Sequence, residues 1–569
     1  MQMKKIIAAL TVSAMLLSGL GTGVYADSGA TAAVPAFTVT LNGQVVDNSY
    51  RQYPLLVYKD ITYFPMTYYD CRFLGLATSW KGSSEGLCIT ATGVSGAYDA
   101  YKGSAKNKSS YRVSIPTFPI TVNGTKVDNS KEEYPLLIFR DVTYFPMTWK
   151  WGVDNFNWAY SFDPESGLKI SSNSPHVTQS AVLPNIETKD ITGNNTLTDA
   201  ACYANGRVCW RTADGKIVQA TLSNLSTLSS ARTLYTLPVW TYSASDGKVS
   251  SNLVNVDGKI QLRFHQGGAV MGSDYKFDIN AGSTLTMLQD GYWETAQLGD
   301  RLFAYWVGPT PGPGMLASAS ISDSSANSSV SDDKQAAVKV IDKKDFVDSG
   351  TDYFIGSGDY WYAGLSKAEP KLALIGERLY LNAAKSYKME DGTLAKKDFY
   401  LSYVDLKTNE VSVAASVPYE DDDYLTAVPA GDCIYYASGA KCYAYDTKTG
   451  TDKLLGTMSG IERIYYLGVA GSSVYAADLQ GELHKLGDTQ AVNKGATVDG
   501  MKQVSENDEY LVCSFAETAS SQYRLMVFDA SGACVFKTAD KTGINTVSME
   551  NGRLYYYNCN FKTICSVPL

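Results

Sequence analysis

The chain has 569 residues, with 49 Lys and Arg against 58 Asp and Glu for a formal net charge of −9, and it is 45% hydrophobic and 12% aromatic. A mildly acidic chain lacks the basic surface that neutralises phosphates, which argues against a nucleic-acid partner, and this much apolar material excludes disorder for the bulk. The 3 histidines, His176, His265 and His484, stand far apart with no second His or Cys at ligand spacing, which excludes a His-rich metal centre.

Met1 to Lys5 carries two lysines, Ile6 to Leu20 is mostly apolar, and Val24 and Ala26 are small residues at the positions a signal peptidase reads. Residues 1–26 therefore read as a secretory signal peptide, cleaved between Ala26 and Asp27. Gly19, Gly21, Thr22 and Gly23 interrupt the apolar run before it reaches the roughly 20 residues of a membrane anchor. No later stretch is long enough to span a bilayer, so the mature chain is expected to be secreted, extracellular or associated with the cell wall.

An internal repeat follows. At an offset of 81, Asn42 to Thr67 aligns without a gap on Asn123 to Thr148, with 17 identities in 26 positions. In each copy an Asn-Gly step suits a tight hairpin, and a second hairpin is expected around Lys59-Asp60. Pro65 ends the strand, Thr67 caps a short helix and Gly75 closes it. A final strand is expected over Trp80 to Ile89 in copy one and Phe162 to Ile170 in copy two.

This order of Asn-Gly, apolar pair, charged turn, aromatic-Pro, short helix, Trp and Gly-Leu-x-Ile resembles the copper amine oxidase N-terminal-like (stalk) repeat of secreted bacterial proteins. It covers residues 37–91 and 117–172. The resemblance implies two small α+β modules acting as an adhesive or spacer. Copper does not follow from it: neither copy contains a His, and Cys71 and Cys88 of copy one are Gly152 and Lys169 in copy two.

Residues 177–569 are read as one domain, and from about residue 191 onward they show no helical periodicity. A turn followed by an alternating apolar strand recurs eight times, beginning at Asn205, Asp257, Gly299, Gly376, Gly431, Gly471, Asn507 and Asn551. Most intervals lie between 36 and 55 residues, the length of a four-stranded blade, and one is 77. The fold class is therefore mainly β: two stalk-like repeats and then a β-propeller of seven or eight blades. The long interval holds a Pro-, Gly- and Ser-rich tract, residues 309–335, read as a disordered insertion. The last unit supplies three strands, and Val177 to Leu183 is the candidate fourth. The segment resembles secreted propellers of the low-density-lipoprotein-receptor-like and quinoprotein-like kinds.

Ten cysteines in an exported chain suggest disulfides. With Asn205-Gly206 as a two-residue turn, Cys202 faces Cys209 directly. Cys433 and Cys442 flank another hairpin, as do Cys559 and Cys565, and Cys71 and Cys88 are lost together in the sister repeat. Cys513 and Cys534 fit worst, on the second and fourth strands of one blade.

Catalytic signals are sparse. Ala444 to Gly450 resembles the Ala-x-Asp-x-x-Thr-Gly of quinoprotein propellers, but Leu454 stands where the usual Trp would, and a turn uses the same Asp and Gly. Glu420 to Asp423 lacks the spacing of a calcium loop. No nucleophile elbow or phosphate loop occurs, and no Ser/His/Asp set can be assigned. No cofactor, metal or catalytic residue is expected. The reading is an exported, non-enzymatic surface protein whose stalk-like repeats tether or space a propeller that binds a glycan, cell-wall polymer or protein. The alternative is a propeller enzyme acting on polysaccharide through carboxylates at the channel mouth.

Overall fold

A computed structural model describes residues 26–569 except for 93–94, 191–192, 194, 239–249, 257, 267–272, 281, 292, 299–300, 307–315, 321–337, 342–353, 356–370, 389–393, 409, 418–425, 494–495, 505–507 and 518–522. Residues 1–25 of the segment read as a signal peptide and all of Glu420 to Asp423 therefore lie outside the described residues. The fold is mainly β and divides into two compact units. The first holds residues up to 171 apart from 72–75 and 93–98, and the second holds 172–569 with those two short segments.

In the first unit the strands run β1 (Ala26–Ala33), β2 (Val39–Leu41), β3 (Gln44–Val46), β4 (Leu56–Tyr58), β5 (Ile61–Pro65), β6 (Leu76–Trp80) and β7 (Leu87–Ala91). The second copy supplies β8 (Ser110–Ile115), β9 (Ile120–Val122), β10 (Thr125–Lys126), β11 (Leu137–Phe139), β12 (Val142–Pro146), β13 (Trp158–Asp163) and β14 (Gly167–Ser172). The expected hairpins form. Asn42 and Gly43 take φ of 44° and 81°, Asn123 and Gly124 take 48° and 81°, and the charged turns Lys59-Asp60 and Arg140-Asp141 are also left-handed. Positive φ at both central residues matches the twist of the flanking strands. One asparagine per copy ties the intervening loop: Asn48 Oδ1 accepts from the Leu55 amide at 2.8 Å, and Asn129 Oδ1 from the Leu136 amide at 2.7 Å.

The copies are interleaved. A closed barrel takes its strands from both in the order β1-β4-β5-β12-β11-β8. Phe64 pairs with Phe145 and Thr31 with Arg112, each opposite its own equivalent, so a pseudo-twofold axis passes through both ladders. The first hairpins are exchanged: β7 runs parallel to β9 of the other copy, and β14 runs parallel to β2. Gly86 and Gly167 make this possible, for both have positive φ and a Cβ at either would strike the carbonyl of Pro119 or Thr38. The repeated unit also includes β1 and β8, upstream of the aligned segment. Ala32, Leu56, Tyr63, Val113, Leu137, Phe139 and Tyr144 fill the barrel, an apolar core contributed almost equally by the two copies.

The segment read as one strand, Trp80 to Ile89, is instead a hairpin: Trp80 pairs with Leu87, and Gly82 and Gly86 turn the chain with φ of 83° and 71°. The same holds in copy two, where Asp163 Oδ1 accepts from the amides of Glu165 and Ser166 at 3.0 and 2.8 Å. Thr67 caps the helix α1 (Tyr68–Phe73), accepting from the Asp70 amide at 3.3 Å, and Gly75 follows at φ 81°. Copy two lacks that glycine. There Lys150–Asn155 is a π-turn, which absorbs one extra residue, and Asn157 supplies the left-handed step at φ 57°.

The second unit is a β-propeller with eight groups of strands among the described residues. Blade 1 holds Ala201–Ala204, Arg207–Arg211, Lys216–Ser223 and Thr227–Thr236, and blade 2 holds Ser250–Val256, Lys259–Gln266, Ser273–Ile279 and Leu285–Gly291. Blade 3 begins at Trp293, blade 4 at Phe354, blade 5 at Ala427, blade 6 at Tyr466, blade 7 at Ala496 and blade 8 at Ser548. The last strand of blade 2 pairs with the first of blade 3, so these two form one continuous sheet. Part of the insertion read as disordered is ordered: Leu316–Ser320 is a strand of blade 3 paired to Arg301–Trp306, because its alternating small residues fit a ladder. The rest of 309–335 lies outside the described residues.

Apolar side chains of adjacent blades meet face to face. Val208 and Trp210 of blade 1 pack on Tyr555 and Tyr557 of blade 8, while Cys202 and Ile217 pack on Leu253, Leu262 and Phe277 of blade 2. Each such side chain contributes about 1.5–3 kcal/mol on full burial. The ring closes through Thr178 and Gln179, which pair with Ser566 and Cys565 on the last strand and remove an exposed edge.

Candidate functional site

Asn205-Gly206 turns between the first two strands of blade 1, as expected, and sets Ala204 opposite Arg207, Tyr203 opposite Val208 and Cys202 opposite Cys209. Beside that turn, a crevice of about 180 Å³ opens between blades 1 and 2, lined by Ala204, Asn205, Arg207, Gln219, Lys259, Ile260, Ile279 and Asn280. Its floor is fixed by Gln219, a buried amide whose Oε1 accepts from Arg207 Nη1 at 3.2 Å and from the Ser283 hydroxyl. Asn280 Nδ2 donates to Thr284 and Thr286 hydroxyls at 3.0 and 2.9 Å, and the Asn205 amide donates to Glu550 at 2.8 Å. Among the described residues, Arg207 and Lys259 are its cationic lining residues and no carboxylate lines it. A guanidinium held by a rigid amide, an exposed ammonium and fixed amides suit an anionic or hydroxyl-rich group. Sequence reasoning missed this site because its residues belong to different blades. The available signal was the position just after each turn glycine, Gly206-Arg207 and Gly258-Lys259.

The opposite end of the same blades carries ionisable groups. Arg211, Ser251 and Glu187 are all buried, and Arg211 Nη1 donates to the Ser251 hydroxyl at 2.6 Å. Burial pushes the Asp199 carboxyl up to about 6, against the opposing pull of hydrogen bonds and Arg211. Burial also lowers Arg211, partly offset by Glu187 and Asp199.

The histidines remain apart. His265 Nδ1 lies 2.9 Å from Asp274 Oδ1, its ladder partner, and Ser250 stands opposite His265 on the other side. Burial lowers His176, and His484 is buried 3.6 Å from Glu482. Among the described residues no three His, Cys, Asp or Glu side chains gather to hold a metal. The quinoprotein-like stretch is a turn: Asp446 Oδ1 accepts from the amides of Lys448 and Thr449 at 2.8 and 2.9 Å, and Gly450 takes φ 70°.

No disulfide joins any of the ten cysteines in this structure. Cys202 and Cys209 are brought together and fully buried, and burial raises both thiols to about 12. Cys433 and Cys442 are not brought together. Cys433 faces Asp446 and Cys442 faces Ala437, about 13 Å away along the strand. Cys559 and Cys565 also fail to meet, since Cys565 faces Tyr556 and the two thiols enter different cores. Cys71 is buried in α1 with its Sγ 3.5 Å from Met66 Sδ, whereas Cys88 lies on β7 opposite Ser79. Cys513 and Cys534 occupy the second and fourth strands of blade 7, separated by Tyr523–Asp529.

No protein-family description matches the chain, and no curated protein does. Solved structures do. The computationally designed Ika8 protein aligns at a TM-score of 0.36 and 11% identity over 69% of this chain and 99% of its own. A quinonprotein alcohol dehydrogenase-like protein from Bacteroides thetaiotaomicron aligns at 0.32 and 10% over 71% and 80%. A prolyl endopeptidase aligns at 0.38 and 12% over 65% of this chain and 54% of its own. The likeness is one of fold alone. Among the described residues no helix is long and apolar enough to cross a membrane.

Proposed function

We propose that this is an exported, non-enzymatic cell-surface or extracellular binding protein, in which the stalk-like repeats tether or space a propeller that holds a glycan, cell-wall polymer or protein. The observation that carries the reading is the crevice between blades 1 and 2, with Arg207 and Lys259 beside the buried Gln219 amide. Such a lining favours ligands with carboxylate, phosphate or dense hydroxyl groups. The test is retention of short, soluble acidic oligosaccharides by the mature chain. The paired change Arg207→Ala and Lys259→Ala should abolish retention, and undiminished retention would refute the assignment of the crevice.

A second reading, an enzyme acting on polysaccharide, is favoured by Asp199, a carboxyl raised to about 6 that shares the buried Arg211 with Glu187. A carboxyl in that range suits general acid work near neutral pH. Release of reducing ends from wall polysaccharides, lost on Asp199→Asn, would establish it in place of the binding reading.

A further inference from the structure

Two exposed aromatic pairs occur at equivalent places in the first unit. Trp80, at the end of β6, meets Phe118, just before β9 of the other copy, with ring centroids 5.0 Å apart at 84°. Phe162, on β13, meets Phe37, just before β2, with centroids 5.1 Å apart at 73°. Phe37 and Phe118 are 81 residues apart, whereas Trp80 and Phe162 are 82 apart because the π-turn has inserted its extra residue. The pairs are thus related by the pseudo-twofold axis. Trp80 remains 40% exposed and Phe162 57%, the largest solvent-facing apolar surfaces of their strands. In each pair an edge-on partner fixes the exposed ring in one orientation.

The surroundings identify the ligand chemistry. Thr78 and Tyr160 lie two residues before Trp80 and Phe162 on the same strand face, are half-buried and carry hydroxyls. A flat apolar ring face with a hydroxyl-bearing neighbour on the same strand face matches a pyranose ring, which has an apolar C–H face and a rim of hydroxyls. A protein or bilayer surface calls instead for a contiguous apolar patch. Duplication about an axis matches a ligand that is itself repetitive. We infer that Trp80–Phe118 and Phe162–Phe37 are twin stacking sites for the sugar rings of a repeating polysaccharide. This inference does not depend on the propeller crevice.

The experiment is co-sedimentation of the full mature chain, beginning at Asp27, with microcrystalline cellulose, chitin and peptidoglycan sacculi. The wild type should bind at least one of these. Trp80→Ala or Phe162→Ala should each weaken binding several-fold, and the double variant by about 100-fold, because two linked sites on one polymer reinforce each other. The ring-preserving pair Trp80→Tyr and Phe162→Tyr should retain binding, and it decides the matter if the alanine variant unfolds. If the wild type binds none of the three polymers, the alanine double variant binds normally, or the tyrosine pair loses binding, the inference is overturned.

Discussion

Arg51 and Glu132 stand 81 residues apart at equivalent positions of the two repeats, and each makes an ion pair with the helical segment that follows, with the polarity reversed. Arg51 meets Asp70 of α1 with side chains 2% and 0% exposed, and Glu132 meets Lys150 of the π-turn with side chains 15% and 54% exposed. The tie between loop and helix is retained while its charges are exchanged.

Burial separates the two pairs energetically. Arg51→Ala leaves Asp70 charged in a dry site and should destabilise the first unit by about 3–5 kcal/mol, whereas Glu132→Ala should cost about 0–1 kcal/mol. Denaturant unfolding of the two variants compares them directly, and equal losses would contradict the assignment.

Gly86→Ala and Gly167→Ala should each destabilise by more than about 1 kcal/mol, since each combines a positive φ with a backbone obstruction. Gly43→Ala, also at positive φ but with open space around it, should cost less. Melting temperatures in that order would support the exchanged-hairpin geometry.

Oxidised protein should contain a Cys202–Cys209 bridge and no bridge between Cys433 and Cys442 or between Cys559 and Cys565. Closing so short a loop is worth about 2–3 kcal/mol in the chain-entropy account. With both thiols raised to about 12, neither should react with iodoacetamide at neutral pH until the chain unfolds. Non-reducing peptide mapping and native alkylation report the two outcomes.

Asp199 makes stability depend on pH. Its folded-state pKa of about 6 lies above the ordinary 3.8, so the native state binds the extra proton. The carboxyl's contribution is fully present below about 4 and is lost as pH rises through about 6, a fall of up to about 3 kcal/mol. Asp199→Asn should flatten that part of the stability profile, and an unchanged slope between pH 4 and 6 would place the titration elsewhere.

Local chemistry was the legible part of the sequence. Asn42-Gly43, Asn123-Gly124 and Asn205-Gly206 demanded their turns, and the last of these fixed the pairing of Cys202 with Cys209. Thr67 and Gly75 marked the helix ends for the same reason. Hidden features depended on distant partners. Nothing near β7 indicates that it pairs with β9 rather than with its own hairpin, and β1 and β8 share almost no sequence. The registers separating Cys433 from Cys442 are set by a turn at Gly439 that the spacing alone left open. The crevice arises only when two blades stand side by side, so no single segment announces it.

The exchange of hairpins bears on how the first unit arose. A lone copy would leave β2 without its parallel neighbour, the β5 edge unpaired and the barrel half built. Two identical copies related by a true twofold axis would satisfy every one of those strands. The interleaved repeats therefore have the form of an ancestral homodimer made permanent by duplication and fusion. Expressed alone, one repeat should reassemble as that dimer.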